Sequence, residues 1–284
     1  MRPRTTVRLP GGWLDAAGAR HQEVAIRPLR GHDEEWLYGL PPHTPLAPLV
    51  TELLRRCVVR LGPSRPTRST IRSLLVGDRG YLVLALYQAT FGDRVEMVLA
   101  CPRPACGARM DVDFQVDDLP VRHVPQQPGY RLDRDGEGLP PVRFRLPTGA
   151  DLEELGAGAA GAAGALLERC VLGGAEVTGR LSVASRARLE AEMERLMPGV
   201  EREVEATCPE CGHPFQVAFD PVPWFLAEAW RRRAEFDREV HLLSFHYHWP
   251  LGEILGLVRP RRQSYVALLL GQLDLAGGVV AVRG

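Results

Sequence analysis

Apolar and polar residues alternate in several short stretches of the chain, and this period of two predicts β-strands. An N-terminal hairpin is predicted over residues 7–27, with a turn at Gly11-Gly12. Three further alternating stretches run from Val95 to Leu99, from Met110 to Phe114 and from Phe215 to Phe219. Strands of this kind bury one face, so the pattern indicates small sheets packed against helices.

Apolar residues with a helical period occupy the stretches between these strands. Helices are predicted over residues 49–59, 81–91 and 186–197. Asp78 and Ser185 precede the last two helices, and both residue types cap helix N-termini well. Apolar residues surround the 81–91 helix, which predicts a buried helix, whereas the 186–197 helix has only an apolar stripe and is predicted to lie on the surface.

Four of the six cysteines lie in two tight turns. One turn is Cys101-Pro-Arg-Pro-Ala-Cys106-Gly, and the other is Cys208-Pro-Glu-Cys211-Gly. Each turn leads into an alternating strand and offers two thiolates, half of a four-cysteine structural zinc site. The alternative is that four reduced cysteines pack as small apolar residues. The sequence thus predicts one Zn²⁺ ion as cofactor. Because four thiolates leave no open ligand position, this zinc is expected to be structural.

Landmark residues recur in the same order in the two halves of the chain. Gly31 and Asp33 match Gly149 and Asp151, Cys57 matches Cys170, Gly92 matches Gly199, and Cys101 matches Cys208. The spacing between partners changes only at loops, as small deletions after a tandem duplication would produce. Cys57 and Cys170 hold equivalent places on apolar helices, which predicts a packing role for both.

The predicted fold class is therefore α+β, a tandem-duplicated α/β unit with a shared four-cysteine zinc-ribbon-like site and a helical C-terminal arm. The first repeat is expected to span residues 1–122 and the second residues 123–222. The arm spans residues 223–284, with helices predicted over 224–247, 251–258 and 261–273 and a loose tail from Gly277.

Aromatic residues and arginines are concentrated in this arm, and both are enriched at the centres of protein interfaces. We expect the arm to bind a partner through Trp230, Arg231, Arg232, Tyr247, Trp249, Arg261, Arg262 and Tyr265. The alternative is that these rings pack back onto the duplicated core.

Composition and motifs argue against several functions. The formal net charge is zero, which gives no support to non-specific binding of nucleic acid or membranes. A Gly-rich phosphate loop, a nucleophile elbow and an HExxH motif are all missing, so no enzyme and no small-molecule substrate is predicted. His241, His246 and His248 are interpreted as a polar helix end. The N-terminus resembles no signal peptide and no stretch predicts membrane insertion, so a cytoplasmic location is expected.

Several motifs resemble a known family. Gly77-Asp78-Arg79, Thr90-Phe91-Gly92-Asp93-Arg94 and the first cysteine turn are similar to segments of the baseplate-hub proteins of contractile-tailed phages and of phage-tail-like contractile injection systems. Tyr247-His248-Trp249, Glu253-Ile254 and Arg261-Arg262 resemble a short segment found in the same gene clusters. The resemblance implies a non-catalytic structural or assembly role at a baseplate, with other baseplate or tail proteins as partners.

The rival hypothesis is a zinc-ribbon regulatory protein that binds nucleic acid. Such a protein needs a basic stripe with stacking aromatic residues along the ribbon strands. Here the first ribbon carries Asp111, Asp113, Asp117 and Asp118, which would repel phosphate. Nucleic acid is therefore an improbable partner.

Overall fold

The computed structural model describes residues 5–133, 141–156, 162–201 and 203–280. The strands are β1 Thr5–Leu14, β2 Arg20–Ile26, β3 Val58–Leu61, β4 Arg94–Ala100, β5 Arg109–Gln115, β6 Val121–Arg122, β7 Tyr130–Leu132, β8 Val142–Phe144, β9 Gly199–Val200, β10 Glu203–Thr207 and β11 Pro214–Ala218. The helices are α1 Gly31–Tyr38, α2 Leu46–Cys57, α3 Arg68–Arg72, α4 Val76–Phe91, α5 Gly149–Leu155, α6 Ala162–Cys170, α7 Gly174–Thr178, α8 Val183–Leu196, α9 Pro221–Arg231, α10 Arg233–Tyr247, α11 Leu251–Gly256 and α12 Arg259–Val280.

Small antiparallel sheets are set among these helices, which confirms the predicted α+β class. Strands β1, β2 and β3 form one three-stranded sheet in that order. The other described strands pair two by two: β4 with β5, β6 with β9, β7 with β8, and β10 with β11. The pair β6–β9 joins residues from distant parts of the chain, Val121 with Val200 and Arg122 with Gly199.

Helix α4 lies at the centre of the larger core. It contacts β1, α2 and α9, and its Leu82, Val83, Leu86 and Tyr87 side chains are almost completely buried. The sequence expectation of a helix that is apolar all round and buried is therefore confirmed. Gly92 ends α4 with a φ of 98°, a conformation that glycine adopts without steric cost.

A second core lies under β7, β8, α6 and α8. Its buried members include Val142, Phe144, Leu167 and Cys170. Helix α8 contributes the stripe that the sequence predicts, with Leu189 and Met193 buried. The packing role predicted for the remaining two cysteines is confirmed, because Cys57 and Cys170 are each 1% exposed.

Two predicted turn and cap positions are wrong. Strand β1 continues through Gly11-Gly12, and the hairpin reverses instead at Asp15, whose side chain accepts hydrogen bonds from the Ala17 and Ala19 amides. Asp78 does not cap α4, because the helix begins two residues earlier, at Val76. The fully buried Asp78 carboxylate instead accepts a hydrogen bond from the Gly11 amide at 2.9 Å. A tertiary contact has replaced a local one.

Other boundaries also differ from the prediction. The cap of α8 is Ser182, whose hydroxyl accepts from the Ser185 amide at 3.1 Å. The predicted first helix of the arm is interrupted at Arg232, which has a non-helical ψ of 0° and separates α9 from α10. Helix α12 continues to Val280, so the predicted loose tail is helical in its first part, and residues 281–284 lie outside the described residues.

One ion pair recurs in the two halves at matching positions. Arg27 binds Asp33 with a 2.6 Å contact, and Arg145 binds Asp151 with a 2.7 Å contact. The Asp151 carboxyl is partly desolvated, which raises its pKa, but the hydrogen bonds from Arg145 and Thr148 outweigh this and lower the pKa to about 2. Asp151 therefore acts as a carboxylate at the start of its helix. Both aspartates also accept a hydrogen bond from the amide just before their helix, Asp33 from Arg30 at 2.9 Å and Asp151 from Thr148 at 2.8 Å.

The same two arginines also bind corresponding backbone groups. The amide of Arg27 donates to the carbonyl of Cys57, and the amide of Arg145 donates to the carbonyl of Cys170, both at 2.9 Å. Each hairpin is thus tied to the end of the apolar helix of its own half.

Candidate metal centre

The first cysteine turn connects β4 to β5. Their register runs to the pair Ala100–Arg109, and the next amide, that of Cys101, donates to Ala108 at 2.9 Å. Gly107 closes the turn with a φ of 57° and donates to the Arg103 carbonyl at 3.1 Å. A side chain at position 107 would be strained in this left-handed conformation, which explains the glycine.

The second turn connects β10 to β11 through the same kind of backbone hydrogen bonds. The amide of Cys208 donates to His213 at 3.0 Å, and the amide of Gly212 donates back to Cys208 at 2.9 Å. Gly212 has a φ of 67°. Both turns therefore present their two sulfurs on one side of a tightly bonded loop.

The two turns meet, and the four predicted sulfurs converge. The Sγ atoms of Cys101 and Cys211 are 3.8 Å apart, those of Cys106 and Cys208 are 3.9 Å apart, and all four lie within 4.8 Å of one another. A tetrahedron with metal–sulfur bonds of about 2.3 Å has edges of about 3.8 Å. The donor set and its size therefore fit one tetrahedral zinc ion.

Backbone amides support the sulfurs. A hydrogen bond from the His213 amide lowers the pKa of the Cys211 thiol to about 7. The Arg103 amide acts in the same direction on Cys101, but burial and the neighbouring thiols outweigh it and raise the pKa of Cys101 to about 11. Amide–sulfur bonds of this kind stabilise the thiolate form that a metal requires.

A small, mostly half-buried cluster surrounds the two turns. Only Cys101, Met110 and Cys208 are fully buried in it, and the apolar side chains packed against them are partly buried: Leu99, Ala108, Val112 and Phe215. The two hairpins form separate sheets with no strand pairing between them in the described residues. A bound metal ion would therefore supply the main connection between the hairpin tips.

The ribbon surface has no excess of basic residues. Glu96, Asp111 and Asp113 are exposed on the first hairpin together with three arginines, Arg94, Arg103 and Arg109, and Arg94 pairs with Glu96 and Asp113. The second hairpin exposes Glu205 and Glu210. The ribbon therefore lacks the basic stripe that binds a phosphate backbone. Among the described residues, the four cysteines are the one group of at least three cysteine, histidine, aspartate or glutamate side chains whose ligand atoms converge, so the three arm histidines join no metal set.

The residues predicted to bind a partner fall into three environments. Trp230 is 37% exposed, and Arg231 and Arg261 are also on the surface. Arg232 is half-buried over the ring of Phe91, with 4.9 Å between its guanidinium and the ring centroid.

Tyr247, Trp249 and Tyr265 pack mainly on one another. Their ring centroids are 5.2 Å apart for Tyr247–Trp249 and 4.9 Å apart for Trp249–Tyr265, and all three are half-buried. Arg262 has no exposed surface, so its placement on a docking face is corrected here: it is a core residue.

Sequence reasoning missed the partners of Arg262. Its guanidinium binds Glu34 of α1 and Glu239 of α10, and both glutamates are buried. The only sequence signal for them is an acidic residue in an otherwise ordinary helix, which does not distinguish them from surface glutamates.

None of the described helices is long and apolar enough to span a membrane. Searches of curated proteins and of solved structures found no significant match. A family model described as T4 bacteriophage base plate protein matches residues 20–172, more than half of the chain. The match begins at β2 and covers the helices and the cysteine turn that follow, then β7, β8, α5 and α6, and it leaves out β1, α8 and the second cysteine turn. It agrees with the resemblance seen in the sequence motifs, and the chain belongs to the T4 bacteriophage base plate protein family.

Proposed function

We propose that this protein is a non-catalytic structural or assembly component of a contractile phage-tail-like particle, placed at its baseplate or hub. The family membership carries the proposal. The site chemistry supports it, because the convergent side chains are four cysteines, which leave a bound metal no open position for a substrate. Its partners are other baseplate or tail proteins, and it acts in the cytoplasm before or during incorporation into the particle.

The direct experiment is to isolate the native particle from cells that carry a tagged copy of this chain. Mass spectrometry and labelled electron microscopy then determine whether the chain is present and where. Its presence at the baseplate supports a structural role, whereas its absence from particles whose assembly fails without it supports an assembly role. Normal particles in cells that lack the gene would contradict both.

We further propose that Zn²⁺ occupies the four-cysteine site and stabilises the fold. The sulfur spacing of 3.8 and 3.9 Å supports this assignment, as does the small number of fully buried side chains around the turns. The rival function, a zinc-ribbon regulator that binds nucleic acid, is disfavoured because the ribbon has no excess of basic residues: Glu96, Asp111 and Asp113 balance the arginines of the first hairpin. A titration with duplex DNA that gave salt-dependent binding would revive it.

The partner surface is proposed to include the exposed residues of the arm, above all Trp230 with Arg231 and Arg261. Trp230 contacts the buried Tyr38 of α1 at 6.1 Å between ring centroids, and Trp230 remains 37% exposed. Substituting Trp230 with alanine tests this surface. The expected result is weaker incorporation into the particle at a temperature at which the variant is still folded, measured by circular dichroism.

A tandem duplication is also proposed for the two halves. The matched ion pairs Arg27–Asp33 and Arg145–Asp151 support it, because contacts of the same geometry at the same spacing are difficult to obtain by independent routes. Structures of relatives that carry one such unit are the test. Single units whose hairpin, helices and cysteine turn match both halves are expected.

A further inference from the structure

Three segments of the chain connect a short helix to a longer one with the same backbone geometry. Each of these helix–helix corners is called a hinge, a name that describes its shape and not a motion. Hinge 1 is residues 71–79 between α3 and α4, hinge 2 is residues 178–186 between α7 and α8, and hinge 3 is residues 254–262 between α11 and α12. In each hinge the amide of the fourth residue donates to the carbonyl of the first: Leu74 to Ile71 at 3.4 Å, Leu181 to Thr178 at 3.1 Å and Leu257 to Ile254 at 3.1 Å. The ninth residue is arginine in all three, and its side chain donates to a carbonyl of its own hinge.

Hinge 1 holds the start of helix α5. The Gly149 amide donates to the Leu74 carbonyl at 3.0 Å, and Thr148 forms an antiparallel bridge with Leu75. A Cβ atom on Gly149 would clash with the Arg79 guanidinium, so a larger residue at the first helical position would require this arginine to move.

Hinge 3 holds the start of helix α1 in the same way. The Gly31 amide donates to the Leu257 carbonyl at 3.0 Å, and Arg30 forms an antiparallel bridge with Val258. A Cβ atom on Gly31 would lie 2.7 Å from the Cα atom of Leu255. Two hinges therefore bind the same element, an extended residue followed by a helix that begins with glycine and has aspartate as its third residue.

Hinge 2 has the same internal bonds, yet no such helix lies on it in the described residues. Thr178 and Leu181 are buried, as their counterparts are in hinge 1, and Arg186 donates to Thr178 at 2.9 Å. Ser182 forms no β-bridge in the described part of the chain, and Val183 is 86% exposed. Val76, which corresponds to Val183 in hinge 1, is half-buried, and its amide donates a hydrogen bond to the Pro147 carbonyl.

We propose that hinge 2 is a docking site for a glycine-started helix supplied by a different subunit of the same assembly. The occupant is identified by what hinges 1 and 3 hold: an extended residue, then Gly-Xaa-Asp at the start of a helix. The proposal rests on the proposed baseplate function and names the partner element that one surface of this protein recognises.

A second copy of this chain is not the occupant. Both of its Gly-Xaa-Asp helices are already seated, α5 on hinge 1 and α1 on hinge 3. The buried contact of Arg262 with Glu34 holds α1 against hinge 3. For α1 to bind hinge 2 of another copy instead, this contact would have to break. The partner therefore supplies this element from a chain of its own.

Recognition follows from the two occupied hinges. The Leu181 carbonyl would accept the partner's glycine amide, and the Ser182 backbone would bridge the extended residue before it, so main-chain bonds give affinity. Arg186 occupies the position of Arg79 and would favour glycine at the first helical position of the partner. Val183 would be covered on docking, which removes an exposed apolar side chain from water.

A photo-crosslinking amino acid at position 183 tests the proposal in native particles, with the exposed Ala191, two turns further along the same helix, as the control position. The expected product joins position 183 to a peptide of another subunit that contains an Xaa-Gly-Xaa-Asp helix start, with little product from position 191. A product joined to a second copy of this chain, or to a peptide without that motif, overturns the proposal. Equal products from both positions do so as well.

A matched pair of variants provides a second, independent test. Val183→Glu is expected to reduce incorporation into the particle at least about tenfold, as loss of a central contact does, whereas Ala191→Glu is not. Both side chains are exposed in the isolated chain, so neither variant should change its melting temperature. If cells that lack the gene make normal particles, the proposed function fails; if the unaltered chain is incorporated and Val183→Glu is incorporated equally well, only the hinge proposal fails.

Discussion

Arg262 of the last described helix binds Glu34 of the first helix at 2.5 Å, across 228 residues of chain, and neither side chain is exposed to solvent. Arg262 also binds Glu239 at 2.9 Å and donates to the Leu257 carbonyl at 3.1 Å. One arginine thus joins α1, α10 and hinge 3. The arm is fastened to the first half by a buried ionic contact, although the sequence suggested a separate docking element.

Arg262→Ala should be strongly destabilising, because it leaves the Glu34 and Glu239 carboxylates buried without their cation. The expected loss is about 3–5 kcal/mol in the free energy of unfolding, measured by urea titration. Burial already raises the pKa of Glu34, despite the neighbouring arginine, so the loss should be larger at pH 8 than at pH 5. Arg261→Ala removes an exposed neighbour and should cost less than about 0.5 kcal/mol. Equal effects of the two variants would contradict the assignment.

A chain ending at residue 222 should fail to fold stably. Removing α9 takes away the fully buried Phe225 and the ring of Trp224, which lies 4.4 Å from that of Tyr87 between centroids. Uncovering this much apolar surface should make the truncated protein aggregate or melt at a much lower temperature. Light scattering and circular dichroism measure this. A soluble truncated protein with an unchanged melting temperature would show that the arm is a separate domain.

Metal analysis of the purified chain should find one zinc ion per molecule. Cys208→Ser should abolish zinc binding, since Cys208 is the most buried of the four cysteines, at 1% exposed. Cys170→Ser changes an equally buried cysteine outside the cluster and should retain the metal. Chelation of the unaltered protein should lower its melting temperature, because metal binding contributes to folding. Zinc retained by Cys208→Ser would exclude the four-cysteine site.

Asp78 should make the protein less stable as the pH rises. Burial raises the pKa of this carboxyl to about 7, because its Oδ2 atom has no hydrogen-bond partner and the Gly11 and Gly12 amides only partly compensate. A pKa raised by folding means that the protonated form is favoured; this contribution is complete below about pH 4 and is lost as the pH rises through 7.

Asp78→Asn keeps an acceptor for the Gly11 amide and cannot ionise. The free energy of unfolding of the variant should therefore exceed that of the unaltered protein by about 1–4 kcal/mol, with the difference growing from pH 5 to pH 8. Asp93→Asn, at an exposed position, should show no such pH-dependent difference. The measurement is urea unfolding across this pH range, and parallel curves for Asp78→Asn and the unaltered protein would refute the prediction.

The sequence by itself was sufficient for features that depend on neighbouring residues. The alternation before and after Cys101 and Cys208 predicts the two hairpins, since side-chain period decides between strand and helix locally. Gly107 and Gly212 mark the left-handed positions of the turns. The convergence of the four sulfurs was also predictable, because each turn provides two ligands and a tetrahedral site requires four.

Only the tertiary structure decided the roles of side chains that act over long distances in sequence. Aspartate is a common helix cap, but Asp78 instead accepts a hydrogen bond from the Gly11 amide of β1, because folding buries the two groups against each other. Arg262 reads like a surface arginine until α1 and α10 close around it. Hinge 2 is proposed as a docking site only because hinges 1 and 3 each hold the start of a helix in the described part of the chain. Local patterns determine the secondary structure, whereas burial, and the pairing of charges that it enforces, depends on which elements meet.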